Sequence, residues 1–207
     1  VIGDIWTRGA DTSPDLDRLL AHPSALAQAR ALSAGVWGRY VALLRDRAGP
    51  AIFRDPSGGL EALTWRLGGV TVVASGLPPD LIGLIAPPLT LDWDAIGQYL
   101  AAPASLSGPL ALRGVSAIAA GELLSHGDGG QMRTTLWTPA AFVETEPEPP
   151  HLVQGRLVRL VDACVATWVR DRGPLLAEVS GGLDSAIVAT ALARNDQSSL
   201  SNLRQHH

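Results

Sequence analysis

The alternation of apolar and polar positions divides the chain into a strand-rich first part and a helical second part. Val1 to Trp6 predicts a short strand ending at Arg8-Gly9. Ser13-Pro14-Asp15 predicts a helix start: a capping hydroxyl, proline at the first helical position, an acid in the first turn. Leu16, Leu19 and Leu20 give that helix its apolar face, and His22-Pro23 stops it. Ser24 opens an alanine-rich helix that ends near Gly35. Residues 38–46, 51–55, 60–67 and 70–74 are β-rich. The turn signals Ala48-Gly49-Pro50, Pro56-Ser57-Gly58-Gly59 and Gly68-Gly69 separate them, which predicts an antiparallel meander. Pro78-Pro79-Asp80 opens a short helix. Asp92 to Leu100 is another, with Trp93, Ile96 and Leu100 on one face. Glu122–His126 and Gln131–Trp137 flank Gly127-Asp128-Gly129-Gly130 as a hairpin.

The acidic, proline-rich stretch 144–150 suits neither helix nor central strand and reads as a linker between a domain at 1–143 and another at 151–207. After it, His151 to Arg172 predicts a long helix with Leu152, Leu157, Leu160, Val161, Cys164 and Trp168 on one broad face. Gly173-Pro174 breaks it. Leu175 to Val179 is mostly apolar, as a buried parallel strand would be. Ser180-Gly181-Gly182-Leu183-Asp184-Ser185 then runs into a helix over Ala186–Arg194, and Asn195–His207 is polar and patternless.

Composition narrows the function. The 207 residues exceed one average domain and fall short of two, and 46% are hydrophobic, enough for a real core. The net charge is −4 and all sixteen basic residues are arginine, with no basic block, which argues against a nucleic-acid partner. One cysteine excludes an internal disulfide and fits a reducing compartment, so a cytoplasmic location is expected. No apolar run approaches the roughly 20 residues of a membrane span, and the N-terminus lacks the features of a signal peptide. His22, His126 and His151 are scattered without metal-ligand spacing. Trp37, Trp65, Trp93 and Trp168 sit in apolar patterns and read as core, and Arg54-Asp55 reads as a structural pair and turn cap.

The strand, Ser-Gly-Gly turn and helix form a phosphate-binding arrangement. Glycines let successive N–H groups curl toward one concavity, and the helix adds its unpaired first-turn N–H groups and positive dipole end. Ser180 and Ser185 add hydroxyls. Asp184 would repel phosphate but suits Mg2+, which bridges carboxylate and phosphate. The bland alternative is a Gly-Gly turn with Asp184 as a helix cap. The string is neither a Gly-x4-Gly-Lys-Ser/Thr loop nor Gly-x-Gly-x-x-Gly.

Val179-Ser180-Gly181-Gly182-Leu183-Asp184-Ser185 resembles the pyrophosphate loop of the ATP pyrophosphatases, in the form used by the asparagine synthetase family. Gly38-Arg39-Tyr40-Val41-Ala42, Arg54-Asp55-Pro56-Ser57-Gly58, Val73-Ala74-Ser75, Arg113-Gly114-Val115 and Gly121-Glu122 resemble, in order, that family's glutaminase-like domain. The resemblance implies an α+β fold: an αββα sandwich like that of the N-terminal-nucleophile hydrolases, followed by the start of an α/β ATP-pyrophosphatase domain. It implies an ATP-dependent ligase that adenylates a carboxylate, releases pyrophosphate and lets an amine attack. By resemblance Ser180, Gly181, Gly182, Leu183, Asp184 and Ser185 hold ATP pyrophosphate and Asp184 holds Mg2+. The partner would be a small-molecule or peptide carboxylate, a precursor peptide among them, with no nucleic acid and no membrane.

The chain departs from the family where glutamine is hydrolysed. It begins with Val1 where the family has a nucleophilic cysteine, Ile2 replaces a glutamine-contacting asparagine, and Asp4 replaces a glutamate. No glutamine hydrolysis is expected. Such a ligase takes its amine from the substrate, as the lasso-peptide macrolactam cyclases and β-lactam synthetases do. Arg54-Asp55-Pro56-Ser57-Gly58 and Leu136-Trp137-Thr138-Pro139-Ala140 look most like the lasso-associated branch. The alternatives are a non-catalytic peptide- or partner-binding remnant and a glutamine-hydrolysing asparagine synthase that has lost its first cysteine. The chain is expected to be a fragment, with both domains incomplete, no catalytic residue of its own, and the family's late catalytic lysine beyond His207.

Overall fold

The computed structural model describes residues 1–9, 13–47, 49–76, 79–87, 90–102, 110–127, 130–143, 148–170 and 172–204. The turn residue Ala48, Pro78, the hairpin tip Asp128-Gly129, linker residues 144–147 and His206-His207 lie outside these. The chain divides into two compact units, Val1–Phe142 and Val143–His207. It is a mixed α+β protein with antiparallel sheets.

The first unit opens with β1 (Ile2–Thr7), α1 (Leu16–Leu20), α2 (Ala25–Gly35), β2 (Val36–Asp46) and β3 (Gly49–Arg54). The cap of α1 is Asp15, whose carboxylate accepts from the Arg18 N–H at 3.0 Å, so Ser13 is not the capping residue and Pro14 precedes the cap. Ser24 caps α2 as its sequence predicts, accepting from the Ala27 N–H at 3.2 Å. Helix α2 then passes straight into β2. Strands β1 and β2 pair unusually closely. A Cβ on Gly3 (φ +108°) would stand 2.2 Å from the Arg39 carbonyl oxygen, and one on Gly38 (φ +145°) 2.2 Å from that of Asp4. Only glycine permits this approach.

The chain continues through β4 (Leu63–Leu67), β5 (Val70–Ala74), α3 (Ile82–Ile85), α4 (Trp93–Ala101), β6 (Val115–Ala117), β7 (Glu122–Gly127) and β8 (Gly130–Thr135). The β-rich runs are antiparallel, but they do not form one meander. A five-stranded sheet has the order β1-β2-β3-β7-β8, and a three-stranded sheet has the order β5-β4-β6. The reason lies in β2, where Tyr40, Val41 and Ala42 are buried in succession, so both faces of the first sheet need cover. On one face, Ala25, Ala29 and Leu32 of α2 pack against Tyr40, Ala42, Leu44 and Phe53. On the other, Val41, Ile52 and Leu124 pack against Ala62, Ile118 and Val73, which belong to the second sheet and its flanks. Trp65 of that sheet is buried and its indole N–H donates to the Ile85 carbonyl at 2.8 Å, which ties down the end of α3.

Three expectations about apolar faces fail in the structure. In α4, Trp93 is 68% exposed and Leu100 is exposed too; the buried residue is the small Ala95. In the second unit, α5 (Pro150–Val169) begins on Pro150, which serves as a first-turn residue rather than as linker. Leu152, Leu157, Leu160 and Trp168 of α5 are exposed; α5 packs against α6 (Leu183–Arg204), and among the described residues the buried ones of the two helices are Val165 and Ala191. The third is Leu175–Val179, which is not a strand. Leu176 is 102% exposed, and no strand of the second unit is present among the described residues to accept its hydrogen bonds. The helix after the glycine turn is longer than its apolar pattern predicts: it continues to Arg204, through most of the stretch that reads as patternless. Arg194 Nε donates to Asp162 at 3.1 Å and links α6 to α5.

Candidate phosphate-binding turn

The turn at 180–182 is shaped by one residue above all. Gly181 has φ +81°, a left-handed conformation that side-chain-bearing residues resist, and no heavy atom lies within 4 Å of where its Cβ would be. Two residues later α6 begins. The Ala186 N–H donates to the Gly182 carbonyl at 3.2 Å, the first bond of that helix. The N–H groups of Leu183, Asp184 and Ser185 precede that bond, in the helix's unpaired first turn.

The two serines flank this turn. Ser185 Oγ donates to the Gly182 carbonyl at 3.1 Å. Its single proton is thereby used, so the 3.3 Å contact between the hydroxyls has Ser180 as donor and Ser185 as acceptor. An arriving phosphate oxygen accepts only. The Ser180 hydroxyl would therefore rotate away from Ser185 to donate to it, at the cost of one exposed hydrogen bond.

All six predicted residues are together. Ser180, Gly181, Gly182, Leu183 and Asp184 are exposed, and Ser185 is half-buried. Asp184 lies in the first turn of α6, where a carboxylate is favoured by the helix dipole. No cluster of three or more His, Cys, Asp or Glu that could hold a metal occurs among the described residues. Mg2+ commonly takes one or two carboxylates, with phosphate oxygens and waters completing its shell, so a lone Asp184 is a donor set that fits.

Ile2 is 68% exposed on the edge strand β1. Asp4 is bound to Arg39, whose Nε donates to its Oδ2 at 2.7 Å. Cys164 lies half-buried on α5, and burial pushes its thiol above the ordinary range, which makes it a poor nucleophile.

The Arg54-Asp55-Pro56-Ser57-Gly58 string forms a buried polar centre whose extent the sequence does not show. Arg54 and Asp55 face different partners instead of pairing with each other. Arg54 donates to the carbonyls of Leu60 (2.8 Å), Ile118 (2.8 Å) and Gly58 (2.7 Å), and reaches Glu61 at 3.3 Å. Asp55, fully buried, accepts from the Ser57 N–H at 2.7 Å and from the Tyr40 N–H at 3.0 Å. These two residues hold the loop after β3 against both sheets. The signal in the sequence was an arginine and an aspartate adjacent to a Pro-Ser-Gly turn.

No family model matches the chain, and no curated protein matches it either. Among the described residues, no helix is long and apolar enough to cross a membrane.

Proposed function

We propose that the chain is part of an asparagine-synthetase-like, ATP-dependent ligase that forms amide bonds, with the Ser180–Ser185 turn as its pyrophosphate-binding element. The observation that carries this reading is the left-handed Gly181 followed at once by a long helix, with a serine hydroxyl on each side of the turn. In this reading the N–H groups of Leu183, Asp184 and Ser185 and the Ser180 hydroxyl hold the β- and γ-phosphates of ATP. Asp184 would hold Mg2+, whose charge offsets that of the leaving pyrophosphate. The substrate carboxylate is adenylated, and an amine then displaces AMP.

The first unit fits a vestigial glutaminase-like domain of the N-terminal-nucleophile-hydrolase type. Helices cover one face of its larger sheet, and a second antiparallel sheet covers the other. The Ile2 side chain offers no hydrogen bond to an amide and the Asp4 carboxylate is engaged by Arg39, which favours an amine within the substrate, as in lasso-peptide macrolactam cyclisation, over free ammonia.

A second reading, a non-catalytic peptide- or partner-binding module, draws on the full exposure of the apolar segment around Leu176. Calorimetric titration of the chain with pyrophosphate and Mg2+ separates the two. The ligase reading expects binding that Gly181→Val abolishes; equal heats for both proteins, or none for either, would overturn it.

A further inference from the structure

We draw no further inference here: the strongest candidate, the surface patch of the second unit made by the exposed apolar side chains Leu157 and Leu160 of α5, Leu175 and Leu176 of the following segment and Leu183 of α6, carries none because nothing in the structure shows what covers it.

Discussion

Tyr40 and Asp55 hold each other twice: the Tyr40 N–H donates to the Asp55 carboxylate at 3.0 Å, and the Asp55 N–H donates to the Tyr40 carbonyl at 3.1 Å. The pair joins the middle of β2 to the turn after β3. Asp55→Ala removes the acceptor of the Tyr40 and Ser57 N–H groups together. Each buried donor left without a partner costs about 1–3 kcal/mol. The variant is expected to unfold at clearly lower urea concentration, with Asp55→Asn intermediate because its amide oxygen still accepts. A midpoint unchanged in Asp55→Ala would show that the loop is held by other contacts.

The phenol of Tyr40 leads to a pH prediction. Burial pushes its ionisation well above the ordinary tyrosine range, and the Asp55 carboxylate adds to the rise, while Arg8 opposes it. The folded-state value is raised, so the stability it contributes is present in full below the unfolded value of about 10 and is lost as pH climbs above that. The hydroxyl is also buried without a hydrogen-bond partner. Removing such a group relieves a burial cost of about 1–3 kcal/mol. Tyr40→Phe is therefore expected to match or exceed the parent in stability at neutral pH and to lose less above pH ~10. Urea midpoints at neutral and alkaline pH test both parts.

Arg54 differs from the exposed arginines of the chain in that its guanidinium fans across three backbone carbonyls. A lysine ammonium cannot reproduce that planar fork. Arg54→Lys is expected to destabilise the first unit by about 1–3 kcal/mol, the range for buried acceptors left unmade. Arg66→Lys, on an exposed arginine, should leave the midpoint within experimental error. Equal losses in both would refute the role given to the fan.

At the glycine turn, the two glycines should behave differently. A residue with a side chain at position 181 must take a left-handed conformation, at about 1–2 kcal/mol. A Cβ at 182 would meet only Ser180 Oγ, at an ordinary 3.5 Å. Gly181→Ala is expected to weaken magnesium pyrophosphate binding roughly 5- to 30-fold, the equivalent of that strain. Gly182→Ala should weaken it much less. The reverse order, read by calorimetry, would mean that the bound state uses another turn geometry.

Asp184→Asn tests the metal assignment separately. If the carboxylate holds Mg2+, the variant loses the enhancement of pyrophosphate binding by Mg2+ and keeps, or improves, binding in chelator, since a repelling charge is gone. If it only caps the helix, both proteins respond to Mg2+ alike.

Local structure was largely legible in the sequence where one residue decides it. The Ser24 cap, the Gly68-Gly69 turn and the glycine turn before α6 follow from side-chain chemistry within a few residues. What was not legible depends on neighbours distant in the chain. A period of two tells which side of a strand is apolar but not which strand lies beside it, so the split into two sheets could not be read from residues 38–74. The same limit explains Leu175–Val179: an apolar run states a preference for burial, and a strand forms only where another backbone accepts its hydrogen bonds. The six residues of the candidate turn could be grouped in advance because they are contiguous in the chain. The sharing of hydroxyl protons between Ser180 and Ser185 was not, because it depends on where the Gly182 carbonyl points.

The chain leaves the large sheet at Arg54, builds the smaller sheet, and returns at Glu122 to pair β7 with β3. That route has a consequence for synthesis on a ribosome. Strands β1 to β3 and helix α2 can assemble as soon as Arg54 has emerged, but the apolar face around Val41 and Ile52 must then wait for Ala62, Val73 and Ile118, and the edge of β3 for Leu124. Closing so long a loop is slow compared with forming a hairpin. During that interval the nascent chain presents a half-finished sheet with an open edge at β3, and this is the stage at which it is most exposed to misassembly with its neighbours.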